Sequence, residues 1–157
     1  MAKHVGAFVA TTTSTKNVDW VKDLGADLVI DYKQDDFEKF LHDYDVVLNS
    51  QDSTTLTKSL NVLKPGGKLI SISGPPDPAF GEEIKAPWFV KLILRLLSSG
   101  VRKKAKDRKV SFSFLFMKAN GKQLREITAL IDSGAIRPVV ERVFPFDATP
   151  QALAHVE

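Results

Sequence analysis

The sequence predicts an α/β fold: a mostly parallel sheet with flanking helices as its crossovers. Two observations carry this. Short β-branched, apolar runs recur roughly every twenty residues, too far apart for hairpins. Helix-compatible stretches lie between most neighbouring runs, and a parallel pair of strands needs such a long connection.

The elements follow in order. Ala2-Lys3-His4 reads as the end of a helix, and Val5 to Thr12 as a buried strand bounded by Gly6 and a Thr/Ser cluster. Ser14 or Thr15 can cap a helix whose apolar positions are Val18, Val21 and Leu24, and Gly25 stops it. Leu28-Val29-Ile30 is a short second strand. A helix holding Phe37, Phe40 and Leu41 leads to a third, Asp45 to Leu48. A helix from Thr54 to Lys64 is ended by Pro65-Gly66-Gly67, and Lys68 to Ser73 is the fourth strand. Pro75-Pro76-Asp77-Pro78 is a rigid loop. Trp88 to Ser99 is a strongly apolar helix, expected to cover the sheet, with a solvated basic run after it to Lys109. Val110, Phe112, Phe114 and Phe116 alternate with serines, a strand with one apolar face. Asn120 to Ser133 is a helix closed by Gly134, Pro138 to Phe146 is extended, and Thr149-Pro150 starts a last helix running to Glu157.

Composition narrows the function classes. The 157 residues can bury one sizeable core, and 43% hydrophobic with 26% charged residues is ordinary for a soluble globular domain. A net charge of +3 is too small an excess to argue for nucleic acid. The absence of cysteine excludes disulfides, thiolate zinc sites and a cysteine nucleophile, and fits a reducing cytoplasm, the expected location. No apolar run is long enough for a membrane-spanning helix.

The segments "KNVDWVKDLGADLVIDY", "YDVVLNS", "LKPGGKLISISGP", "FSFLFMKANGKQLREITALIDSGAIRPVVERVFPF" and "ALAHVE" stand in the order found in one enzyme family. From Ala2 to Glu157 the chain resembles zinc-independent medium-chain dehydrogenases/reductases, in their NADPH-dependent, quinone oxidoreductase-like branch. The resemblance implies a doubly wound, Rossmann-like sheet. It also implies that a catalytic domain, a first strand and a glycine-rich turn would come before Ala2, with a closing strand after Glu157. The chain is thus expected to be the middle and late part of such an enzyme, its first strand missing. No G-x-G-x-x-G occurs in it. That first strand is central in doubly wound folds, and its turn holds the cofactor's pyrophosphate. Without it, its two neighbours would pair directly or accept a strand from another chain. Residues 1–135 are expected to form a partial nucleotide-binding domain, and 136–157 a segment that returns to the catalytic domain.

The resemblance also assigns roles. The stretch Thr11 to Asn17 has no acid to bind ribose hydroxyls, as NAD recognition would need, but has hydroxyls and a cation. Ser14 and Lys16 suit the 2′-phosphate of NADPH; by their residue types alone they are an N-cap and a solvated lysine. Tyr32 would lie beside the adenosine or be a half-buried loop tyrosine. Asn49, Ser73 and Gly74 follow strand ends, where ligands of such sheets bind. Phe114 and Phe116 would offer backbone contacts to the nicotinamide carboxamide while their rings pack. No catalytic acid or base and no metal-ligand spacing stands out, and His4, His42 and His155 read as surface residues.

The function this implies is hydride transfer from NADPH to a quinone or α,β-unsaturated carbonyl. The isolated chain is expected to be inactive and to bind cofactor weakly or not at all. A homodimer through the strand near 110–117, or by swapping, is expected, with neither nucleic acid nor membrane as partner. Two alternatives stand beside it. "LKPGGKLISIS" also occurs in S-adenosylmethionine-dependent methyltransferases, whose acidic cofactor strand and glycine-rich loop are absent here. The apolar helix with its basic run could instead make the chain a non-enzymatic interaction module.

Overall fold

The computed structural model describes residues 1–156, and Glu157 lies outside the described residues. Two compact units form: Val9–Ala119, and Met1–Phe8 with Asn120 onward.

The first unit carries all five strands. β1 (Ala10–Thr13) and β2 (Leu28–Asp31) pair in parallel, Thr11 opposite Val29. β3 (Tyr44–Asn49), β4 (Leu63–Ser71) and β5 (Ser111–Phe114) form a second parallel sheet in that order. β1 and β3 do not pair with each other, so the expected doubly wound sheet is present as two pieces. Helices α1 (Val18–Asp23), α2 (Ser53–Ser59), α3 (Pro78–Glu83), α4 (Trp88–Leu97) and α5 (Ser99–Asp107) fill the connections, as parallel pairing requires.

Two apolar clusters hold this unit. Leu56, Leu60, Leu63, Leu69, Ala105 and Val110 are buried together between the three-stranded sheet and α2 and α5. Ile30, Leu41 and Val62 form the second, with Ala10 and Phe37 against them. Tyr44 and Val47 pack on both, and so join the two sheets.

Several elements differ from the sequence reading. Val5 belongs to a 3₁₀ turn, Ala2–Val5, closed by Gly6 at φ 80°, and the strand begins only at Ala10, where β2 offers a partner. Of the helix expected to hold Phe37, Phe40 and Leu41 only one 3₁₀ turn forms, Phe37–Lys39, and Asp43 at φ 61° redirects the chain into β3. α2 stops at Ser59, releasing Leu60, Val62 and Leu63 into the core, and Pro65-Gly66-Gly67 bulges out within β4. α3 replaces part of the rigid loop, and the basic run is helical as α5. α4 does not cover the sheet with its apolar residues: Leu94 alone is buried, against Gly81 of α3, while Trp88, Leu92 and Leu96 are exposed.

The second unit holds α6 (Gly121–Asp132) and α7 (Thr149–Val156). Asn120 caps α6 by accepting from the backbone N–H groups of Lys122 and Gln123 at 3.0 and 3.1 Å. Gly134, at φ 74°, ends it with the left-handed residue such a stop requires. Phe144 stacks near His155 and under the Arg142 guanidinium, 4.7 Å from the ring centre.

Ion pairs lock the α2 end of the sheet. Lys58 reaches Asp36 at 2.6 Å and Glu38 at 3.4 Å. The Lys58 hydrogen bond holds the Asp36 carboxyl below its ordinary range, the backbone N–H of Thr55 does the same for Asp52, and Asp36 in turn raises Lys58. Their carboxylate contribution is complete above the unfolded-state value near pH 4 and is lost as pH falls through the lowered folded values. The Lys58 contribution is lost as pH rises through its raised value. In Asp36→Asn, the fall of Tm on acidification should therefore be shallower than in the parent. Leu69, with no exposed surface, should lose about 2–5 kcal/mol on truncation to alanine, read by denaturant unfolding.

Candidate functional site

All strands within each sheet run parallel, so their carboxyl ends line up. At the edge of the three-stranded sheet these ends are Asn49, Ser71 and Phe114, which lie in one register row. Asn49 is buried, and its side-chain oxygen accepts long hydrogen bonds from Ser71 at 3.5 Å and Ser73 at 3.4 Å. Its amide Nδ2 is buried without a partner. A buried donor left unpaired costs about 1–3 kcal/mol, so this atom stands out in the site.

Ser71 organises the turn that follows. Its hydroxyl accepts from the backbone N–H of Gly74 at 2.8 Å. A Cβ on Gly74 would stand 2.8 Å from that hydroxyl and 3.2 Å from Leu56, so only glycine fits. Ser73 also donates to the Gln51 carbonyl at 2.5 Å, tying the loops after β3 and β4 together. Asp77 is buried and does two tasks: it caps α3 by accepting from Phe80 N–H at 2.9 Å, and it accepts from Phe114 N–H at 3.2 Å. Phe80 packs edge-on to Phe114 at 5.4 Å and tilted to Phe116 at 5.3 Å, and Phe116 is still 54% exposed.

The other candidates sit at the carboxyl edge of the β1–β2 pair. Neither Ser14 nor Thr15 makes the capping bond expected of it. Ser14 accepts from Asn17 Nδ2 at 3.3 Å, and the Thr15 hydroxyl is drawn to the Asp31 carboxylate at 2.5 Å, a stronger acceptor. That hydrogen bond is the chief cause of the lowered Asp31 pKa, and Lys33 N–H and the Gln34 amide also donate to this carboxylate. Lys16 is exposed and makes no ion pair among the described residues. Tyr32 is 59% exposed, its backbone N–H held by the Thr13 carbonyl.

The structure thus brings Asn49, Ser73 and Gly74 together around Ser71, which is also the strand partner of Phe114. Ser14, Lys16 and Tyr32 form a separate group on the other sheet. Sequence reading missed Asp31, Ser71 and Asp77. The Asp77-Pro78 pair carried a readable signal, a capping residue before a first-turn proline. Among the described residues no group of three or more His, Asp or Glu is placed to hold a metal ion.

Asp77→Ala should unfasten both α3 and β5. The expected loss is about 2–4 kcal/mol, the sum of a cap and a buried hydrogen bond, with Asp77→Asn recovering part of it in thermal melts.

Comparison with known proteins places this architecture. A family model described as zinc-binding dehydrogenase matches residues 24–157. The chain is 32% identical to the zebrafish (Danio rerio) mitochondrial NAD(P)H oxidoreductase RTN4IP1 and 29% identical to a chloroplastic NADPH-dependent alkenal/one oxidoreductase of Arabidopsis thaliana. All of the chain is matched in both, but it spans only 41% and 33% of their lengths. The quinone oxidoreductase of Coxiella burnetii superposes with a TM-score of 0.72 over 99% of this chain and 43% of its own, at 23% identity. The parallel α/β fold is that of the matched part of the Coxiella enzyme, and the chain belongs to the zinc-binding dehydrogenase family.

Proposed function

We propose that the chain is the cofactor-side portion of an NADPH-dependent oxidoreductase that delivers hydride to a quinone or an α,β-unsaturated carbonyl. The observation that carries this is the unpartnered, buried amide of Asn49 at the carboxyl edge of the sheet. Ligands of parallel α/β sheets bind at that edge. Asn49, Ser73 and the Gly74 backbone would meet the nicotinamide ribose, and the backbone at Phe114 to Phe116 would meet the carboxamide. Lys16, exposed and without an ion pair among the described residues, with Ser14 close in sequence, would read the 2′-phosphate, and Tyr32 would flank the adenosine. The zebrafish and Arabidopsis relatives are NAD(P)H and NADPH oxidoreductases, which supports a nicotinamide cofactor.

The residues fit the two ends of the cofactor better than its middle. No G-x-G-x-x-G is present to bring backbone N–H groups onto the pyrophosphate. No side chain here is assigned as the proton donor that must follow hydride delivery. The chain alone is therefore proposed to bind weakly and to lack turnover. The edge strand β5, continued by exposed Leu115 and Phe116, is proposed as the contact of a homodimer.

Titration followed by nicotinamide fluorescence tests the reading. Weak NADPH binding is expected, with NADH weaker still. Lys16→Glu should cost the NADPH preference about tenfold, and Asn49→Ala should weaken both cofactors alike. A preference for NADH, or indifference to both substitutions, would remove the assignment. Reduction of a quinone or enone by the chain alone would remove the claim of inactivity.

A further inference from the structure

We propose that α4 and α5 form a docking surface for an anionic phospholipid bilayer. The sequence pattern alone favours packing α4 on the sheet, and the structure does the reverse. Trp88, Phe89, Leu92, Ile93, Leu96 and Leu97 are each about half exposed or more, from 49% to 77%. Their spacing of one, then three, places all six on one side of a helix with 3.6 residues per turn. The helix is fixed to its unit from the opposite side, by Leu94 against Gly81 and by the Lys91–Glu82 ion pair at 2.6 Å.

Charge names the occupant. Ser98 alone separates the two helices; it is fully buried and its hydroxyl donates to the Leu94 carbonyl at 2.8 Å. Beyond Ser98, α5 is held in the core by Ala105. From Arg95 to Lys109 there are seven cations, Arg95, Arg102, Lys103, Lys104, Lys106, Arg108 and Lys109, against the single carboxylate of Asp107. All seven are exposed, and none makes an ion pair among the described residues. A cleft of about 410 Å³ lies between α5 and the β4 bulge, lined by Arg102, Lys106 and Lys109 with Gly66 and Ser111, and no carboxylate borders it.

An apolar helix face with a tryptophan at its start, followed directly by unpaired cations, has the two parts of an interfacial anchor. Apolar side chains enter the headgroup boundary, and cations meet lipid phosphates. A protein partner would need a carboxylate-rich surface beside an apolar groove. A bilayer supplies both over any area. No helix of the described residues is long and apolar enough to cross a membrane, so the contact lies in the surface plane.

Flotation of the full chain with vesicles tests this. It should rise with phosphatidylcholine vesicles containing phosphatidylglycerol and stay behind with phosphatidylcholine alone. Raising salt to about 0.5 M should cut binding at least tenfold. In a Trp20→Phe background, Trp88 emission should shift to the blue on binding. Leu92→Ser with Leu96→Ser, both at exposed positions, should abolish flotation, and Lys103→Glu with Lys104→Glu should reduce it about tenfold. Thermal melts would show that both pairs stay folded. No flotation at low salt, equal binding to neutral vesicles, or flotation kept by the Leu92/Leu96 pair would overturn the proposal. So would self-association that this pair abolishes in a chain that never floats.

Discussion

The polar edge of the three-stranded sheet hangs on one row of side chains. Val47, Leu69 and Phe112 stand side by side across β3, β4 and β5, with Leu69 sealed from solvent. That row is what α2 and α5 close over, and it fixes the register of the sheet. Two residues further along each strand come Asn49, Ser71 and Phe114. A slip of one residue in β4 would turn Leu69 outward and carry Ser71 to the wrong face. The core therefore sets the positions of the polar groups at the edge, and the bulge at Pro65-Gly66-Gly67 takes up the length that does not fit.

The polar edge is built with little slack. Ser71 serves Asn49 and Gly74, Asp77 serves Phe80 and Phe114, and Ser73 serves two loops. Each hydroxyl or carboxylate that fastens two segments restricts the geometry of both. Against that background the Asn49 amide Nδ2 is the one buried side-chain polar atom without a hydrogen-bond partner among the described residues. The β1–β2 edge is organised differently, around the Asp31 carboxylate, which gathers Thr15, Lys33 and Gln34 and leaves Lys16 to solvent.

Much of the fold was legible in the sequence because the signals are local. β-branched, apolar runs gave β2 and β3 and the alternation of phenylalanine with serine gave β5, each to within a few residues, and Asn120 and Gly134 framed α6. The misses arose where distant contacts overrode local preference. Leu60, Val62 and Leu63 look helical, yet Tyr44 N–H pairs with the Val62 carbonyl and draws the segment into extended form. The candidate residues could be placed at strand ends by rhythm alone. What holds them could not: Asp77 lies 37 residues from Phe114, and no periodicity announces that bond. The outward face of α4 was misread for the same reason, since amphipathicity shows that a helix has an apolar side but not which way it turns.

The division of the strands into two sheets has a consequence for how the molecule comes apart. The β1–β2 pair has four ladder positions and leans on three buried side chains, whereas the other sheet sits on six. The smaller piece can open while Leu69 and its neighbours stay packed, so amide hydrogens of β1 and β2 exchange through a lower-energy fluctuation than those of β4. Cooperativity in this chain is thus graded, with Tyr44 and Val47 as the seam across which a local opening must pass to become global unfolding.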